Sequence, residues 1–350
     1  MLYAETSLTR VKACGRVSVL PTGQVGVRAA ANGSAAGFSG LSTCGSVWAC
    51  PVCAPKIAVK RAEEVAEVIR WNRKRGGSAA LLTLTMQHHA GMTLEQCWAG
   101  LNKAWSAVTS GRQWLRDKAT LGIDGFLRVV EVTLGEANGW HVHVHALVLF
   151  DRPISETIME SFGASCWGRW NRALQRVNLF SLQEHGVDVR PVRTADGGKL
   201  GRYFAKIALE VTGGVFKKGG RGGRTPFELL TYAFDTGDAW ALMKWREWEQ
   251  ASHGKKQLTW SNGLRSRVGL DAEQSDEDIA TEQLGDDDLV LLPAATWRAV
   301  RDWAWVLLDF VEDYGVAGLC RFLDREGLEY HKPVKVRRDG KWLMSVRKAA

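Results

Sequence analysis

Tyrosine is scarce in this chain of 350 residues, which carries only five. A phenolic nucleophile, if the protein uses one, therefore has few places to sit. Long apolar runs are absent as well. None approaches the roughly 18–20 residues that a bilayer-crossing helix needs, so no membrane partner is expected. Residues 1–12 lack the apolar core of a secretory signal, and a cytoplasmic location is expected. There are no internal repeats, which argues against a solenoid. Cysteine is present in an odd number, seven, and four cluster towards the N-terminus. Without a secretory signal, metal binding is a better account of that cluster than disulfides.

The balance of charge is basic, with a formal net charge of +8 and an isoelectric point near 9.2, which favours an acidic partner such as nucleic acid. It is unevenly spread. Residues 52–76 carry Lys56, Lys60, Arg61, Arg70, Arg73, Lys74 and Arg75, and the loop at 217–224 holds Lys217, Lys218, Arg221 and Arg224 among glycines. Residues 271–288 are acidic instead and read as a flexible linker. With 45% hydrophobic residues the chain can bury at least one substantial core.

The most informative stretch is Gly139-Trp140-His141-Val142-His143-Val144-His145-Ala146-Leu147-Val148-Leu149-Phe150. Its period-2 alternation reads as a β-strand. Residues i, i+2 and i+4 of a strand share a face, so His141, His143 and His145 line one side and Val142, Val144 and Ala146 the other. Three imidazoles in a row make a poor core, because every ring nitrogen needs a partner. They make a good metal site, since neutral imidazole is the commonest protein ligand. A hard cation also wants a carboxylate. Glu131 stands within the apolar run Phe126-Leu127-Arg128-Val129-Val130-Glu131-Val132-Thr133, which pairs with the histidine strand as a hairpin across residues 135–139. Two histidines and one carboxylate with open positions would accept Mg²⁺ or Mn²⁺, with Zn²⁺ an alternative.

The rest of the pattern gives an α+β chain. Strands are expected at 80–86, 126–134, 141–150 and 187–192, with helices at 55–75, 94–118, 154–177, 199–211, 226–234 and 238–252. Four successive parts follow: a zinc-binding cysteine module with a basic helix at 1–76, a catalytic domain at 77–268, the acidic linker at 269–289, and a mainly helical unit at 290–350. Cys44, Cys50 and Cys53, the last two in a Cys-Pro-x-Cys turn, would hold a structural Zn²⁺ with Cys14 as fourth ligand, a place that His88 or His89 could also fill. Tyr203 and Lys206 are three apart and share one face of a helix, which sets a cation beside a phenol.

Leu82-Thr83-Leu84-Thr85, then His143-Val144-His145, then Tyr203-x-x-Lys206 together resemble the three ordered motifs of the HUH endonucleases. The likeness is to the rolling-circle replication initiators (Rep proteins) of small actinobacterial plasmids. Cys44-Gly45-Ser46-Val47-Trp48-Ala49-Cys50-Pro51-Val52-Cys53 and Leu258-Thr259-Trp260-Ser261-Asn262-Gly263-Leu264-Arg265 are similar to segments of those Reps. The resemblance implies a five-stranded antiparallel sheet with flanking helices and an enzyme that cuts one DNA strand at a plasmid origin. In that picture His143, His145 and Glu131 hold the catalytic ion, and His141 is an extra ligand or a neighbour of the ligands. Tyr203 attacks the scissile phosphate with Lys206 in support, and a 3′-OH is left to prime a host polymerase alongside a host helicase. Where some branches of the family carry a glutamate one turn before the tyrosine, this chain has Lys199; Glu210 is a candidate water activator. A mobilisation relaxase or transposase of the same class, or a non-catalytic zinc-dependent DNA-binding regulator, are the alternatives.

Overall fold

The computed structural model describes residues 2–30, 35–192, 223–282, 287–338 and 341–348. Lys199, Tyr203, Lys206, Glu210, Lys217, Lys218 and Arg221 lie outside the described residues. In chain order the strands are β1 (Val25–Ala29), β2 (Ala36–Ser39), β3 (Ser78–Thr85), β4 (Ile123–Gly135), β5 (Gly139–Phe150), β6 (Val187–Pro191), β7 (Gly223–Arg224), β8 (Leu258–Trp260), β9 (Val290–Leu292), β10 (His331–Arg338) and β11 (Lys341–Lys348). They form an α+β chain of two compact units. One is Met1–Ser7 with Ser46–Ile279, the other Leu8–Gly45 with Ala280–Ala350. The units thus interleave along the chain, whereas the sequence pattern reads as consecutive blocks.

The larger unit is built on β4 and β5. Their alternating residues pair from Ile123↔Phe150 to Gly135↔Gly139, closing the expected hairpin. β3 joins the other edge of β5, and β6 joins β3, giving the order β6-β3-β5-β4-β7 with β8 also on β4, every pairing antiparallel. Among the described residues this sheet has six strands, against the five that the resemblance implies and the four that the pattern marks. The two that the pattern does not mark are β7 and β8, segments of two and three residues too short to show an alternation.

Alternation divides the sheet into two faces. Leu82, Leu84, Val130, Val132, Val142, Val144 and Ala146 are all buried on one of them. On that side Phe150 meets Phe162 of the helix Glu156–Gln175 edge-on, and Trp140 stacks on Trp248 of the helix Ala239–Ser252. The opposite face packs Leu127, Val129, Leu147 and Leu149 against Val65, Val68 and Ile69 of the helix Cys53–Lys74. Beyond this cluster the same face carries Glu131, His143 and His145. The expected single helix at 94–118 is two, Leu94–Val108 and Gly111–Leu121. They break at Gly111, whose φ of +76° a residue with a side chain would resist.

The smaller unit adds strands to the expected helices. Within residues 290–350, β9, β10 and β11 extend β1 and β2 into a sheet of order β11-β10-β9-β1-β2. The helices Ala294–Val300 and Trp305–Arg325 supply Trp297, Leu307, Leu319 and Leu323 to a core with Val25, Val27, Val290 and Leu292. The acidic stretch is corrected as well, since its described part is structured. Ser275 caps the helix Asp276–Thr281, and Asp288 takes hydrogen bonds from Arg28 and Ser39, each at 2.6 Å. Among the described residues no helix is long and apolar enough to cross a membrane.

Candidate active site

The hairpin register sets Glu131 directly opposite His143, and His145 lies two residues along on the same face of β5. Their polar atoms converge. His143 Nε2 and His145 Nε2 are 2.9 Å apart, and each is 3.2 Å from Glu131 Oε2. All three side chains are mostly buried. Each offers one ligand atom, and these atoms lie within 4.8 Å of one another. Octahedral bonds of about 2.1 Å would put adjacent donors about 3 Å apart, against about 3.3 Å for tetrahedral zinc. The observed spacings of 2.9–3.2 Å lie close to both values.

The neighbouring strand β3 orients one of the rings. Thr83 is paired with His145 across the sheet, and its Oγ1 lies 2.9 Å from His145 Nδ1. With the hydroxyl oxygen accepting from Nδ1–H, the Nε2 lone pair is left facing Glu131. The motif Leu82-Thr83-Leu84-Thr85 thereby acquires a physical meaning. Its leucines fill the buried face, while Thr83 braces His145 and Thr85 Oγ1 donates to the His185 carbonyl at 2.7 Å.

His141 shares the histidine face but stands outside the converging set. Its Nδ1 is 2.8 Å from His88 Nε2, and the two rings meet edge-on. Burial pushes its pKa down to about 4, with the adjacent imidazoles of His143 and His88 adding to the effect. It is a neutral neighbour of the donors. His88, a partner that alternation did not expose, is held in turn through Nδ1 at the Asn138 carbonyl.

Of the four N-terminal cysteines, Cys14 and Cys44 belong to the smaller unit and Cys50 and Cys53 to the larger, and all four are buried. Gly15 and Gly45, each directly after a cysteine, both have φ of +66°, the left-handed turn that only glycine takes without strain. Of the basic loop, Arg224 is described: its guanidinium pairs with Glu136 and lies 4.2 Å above the Tyr232 ring.

A family model described as Replication protein matches residues 40–305. The chain is similar to "Protein rep" of Streptomyces lividans, 33% identical over 331 residues that cover 75% of this chain and 70% of that one. It is also similar to a "Neomycin resistance protein" of Streptomyces cyanogenus, 33% identical over 135 residues, 31% of each chain. No solved structure matches. The motif likeness to actinobacterial Reps thus extends across most of the sequence, and the chain belongs to the Rep family of replication proteins.

Proposed function

We propose that this Rep protein starts rolling-circle copying of a plasmid by nicking one DNA strand at the origin, as an HUH-type endonuclease. The observation that carries the reading is the convergence of Glu131, His143 and His145 on the two central strands of a replication-family chain. These three side chains would hold Mg²⁺ or Mn²⁺. Bound there, such an ion supplies Lewis-acid polarisation of the scissile phosphate's non-bridging oxygens.

Tyr203 is the nucleophile in this account. Its phenolic oxygen attacks phosphorus, the bond from phosphorus to the 3′-oxygen breaks, and that oxygen leaves with a proton as a free 3′-OH. Lys206, three residues on in the sequence, stabilises the phenolate. One phosphodiester replaces another, so the 5′-phosphotyrosine retains the energy needed to rejoin the strand without ATP. The 3′-OH then serves a host polymerase, with a host helicase opening the duplex. Thr83 holds His145 in the tautomer that faces the ion. Zn²⁺ on Cys14, Cys44, Cys50 and Cys53 is structural. Lys217, Lys218 and Arg221 meet the DNA backbone, whereas Arg224 is already engaged by Glu136.

The test incubates the protein and its Tyr203→Phe variant with single-stranded origin DNA and Mn²⁺, then separates the products on denaturing gels. An SDS-resistant protein–DNA band from the first alone is expected. Binding with no adduct from either would favour a non-catalytic, zinc-dependent DNA-binding regulator. An adduct without support of plasmid copying in cells would favour a relaxase or transposase.

A further inference from the structure

A cavity of about 340 Å³ opens beside the histidine row, lined by Thr85, Gln87, His88, Asn138, His141 and Leu182 with their neighbours. The rings step continuously from this cavity to the candidate metal donors. Centroids are 4.9 Å apart from His88 to His141, 4.9 Å from His141 to His143, and 4.6 Å from His143 to His145. Whatever fills the cavity therefore lies next to the reacting centre.

Its walls are rigid. Ser181 Oγ and Trp170 Nε1 both donate to the Thr85 carbonyl, at 2.7 and 2.9 Å, and Trp167 Nε1 donates to Ser181 Oγ at 3.1 Å. Preformed walls of this kind are typical of small-ligand sites, and the volume is in the usual range for them. Around the mouth the chemistry changes. Gln87, Asn138 and His185 are exposed, and among the described residues their side chains make no hydrogen bond. They offer donors and acceptors at no cost in broken contacts. Leu182, which lines the cavity, is about half exposed, and the backbone just before it is tied to the Gln87 amide through the Phe180 carbonyl. Apolar surface left in water beside unengaged amides and an imidazole suits a flat, polar-edged heterocycle, which stacks on one and hydrogen-bonds to the other.

We propose that this cavity is a subsite for one nucleobase adjoining the scissile phosphate, drawn out of the strand so that its phosphate comes to lie at Glu131, His143 and His145. The inference rests on the nicking reading and adds to it the element that fixes where the cut falls. Extruding a base costs a few kcal/mol, least in single-stranded DNA. The apolar surface of Leu182 and the amides offset that cost.

Two readouts separate this proposal from the nuclease reading. In the first, single-stranded origin oligonucleotides carrying one abasic site, moved position by position, are offered with Mn²⁺ to the protein and to Leu182→Trp, which fills the mouth from an exposed position. For the unaltered protein, an abasic site at one position next to the nick lowers the rate of adduct formation about tenfold or more. In Leu182→Trp the intact oligonucleotide is already that slow, and the abasic site adds nothing. An abasic penalty of the same size in both proteins would overturn the subsite. The second readout needs no cleavage. With 2-aminopurine at each position in turn, binding raises fluorescence at a single position, and Leu182→Trp and His185→Ala both abolish the rise. A rise at no position, or one that both variants keep, would overturn the subsite; a rise lost in the variants, without any adduct, would uphold it while the nicking reading failed.

Discussion

At the scale of single residues, the site depends on groups that do not themselves face an ion. Thr83 fixes the His145 ring through one 2.9 Å contact. Thr83→Val keeps the volume and removes the acceptor, and it should weaken Mn²⁺ binding about 10- to 100-fold while leaving the melting temperature unchanged. Titration calorimetry measures the first and a thermal melt the second; unchanged affinity would mean that Thr83 does not orient the ring. A different residue pair holds helices together. Arg169 donates to Asp117 at 2.6 Å, both side chains being mostly buried, and Gln113 donates to the other carboxylate oxygen at 2.8 Å. Arg169→Met leaves Asp117 a buried charge without its cation and should cost about 3–5 kcal/mol in urea denaturation. His143, His145 and Glu131 were legible because a titratable side chain inside an apolar strand is costly without a partner. Thr83 was not, since threonine is an ordinary strand residue and only the register reveals its neighbour.

At the scale of elements, the β4–β5 hairpin sets every donor. A slip of one residue would turn the histidines into the core and the valines outward, so register is strongly specified. Gly139 closes the turn at φ +76°, and a Cβ there would lie 2.8 Å from both the Ala90 Cα and the His89 carbonyl oxygen. Gly139→Ala should therefore destabilise the protein by about 1–3 kcal/mol and weaken Mn²⁺ binding in parallel. A variant as stable as the parent would show that the hairpin end yields freely. Long alternating strands were legible from the pattern, β4 and β5 most of all. Short ones were not. β7, β8 and β9 hold two or three residues each, and the pairing of β9 with β1 joins residues more than 260 positions apart. Such pairings follow from tertiary packing, which local periodicity does not encode. The strand β10 was missed although Val334-Lys335-Val336-Arg337 alternates, because Pro333 and the flanking charged residues leave only that short run.

At the scale of the whole molecule, a net charge of +8 and the side chains that could hold metal ions are the features that the proposed function draws on. The basic balance was legible and pointed to nucleic acid, although composition alone does not separate a regulator from a nuclease. The four cysteines were picked out from the sequence as a set by their number near the N-terminus and by the Cys-Pro-x-Cys turn. The purified protein should contain about one zinc per chain, and Cys53→Ser should lose it and melt at a lower temperature. Metal analysis that finds no zinc would leave the cysteines as buried thiols only.

The central claim is that a tyrosine of this Rep protein takes over the scissile phosphate beside Glu131, His143 and His145. Peptide mapping by mass spectrometry, after nuclease trimming of the adduct formed with origin DNA and Mn²⁺, tests it most directly. The account predicts a single nucleotide-bearing peptide, modified at Tyr203, which vanishes in His143→Ala and His145→Ala although both variants still bind the DNA. A nucleotide on another residue, or an undiminished adduct in the histidine variants, would contradict it.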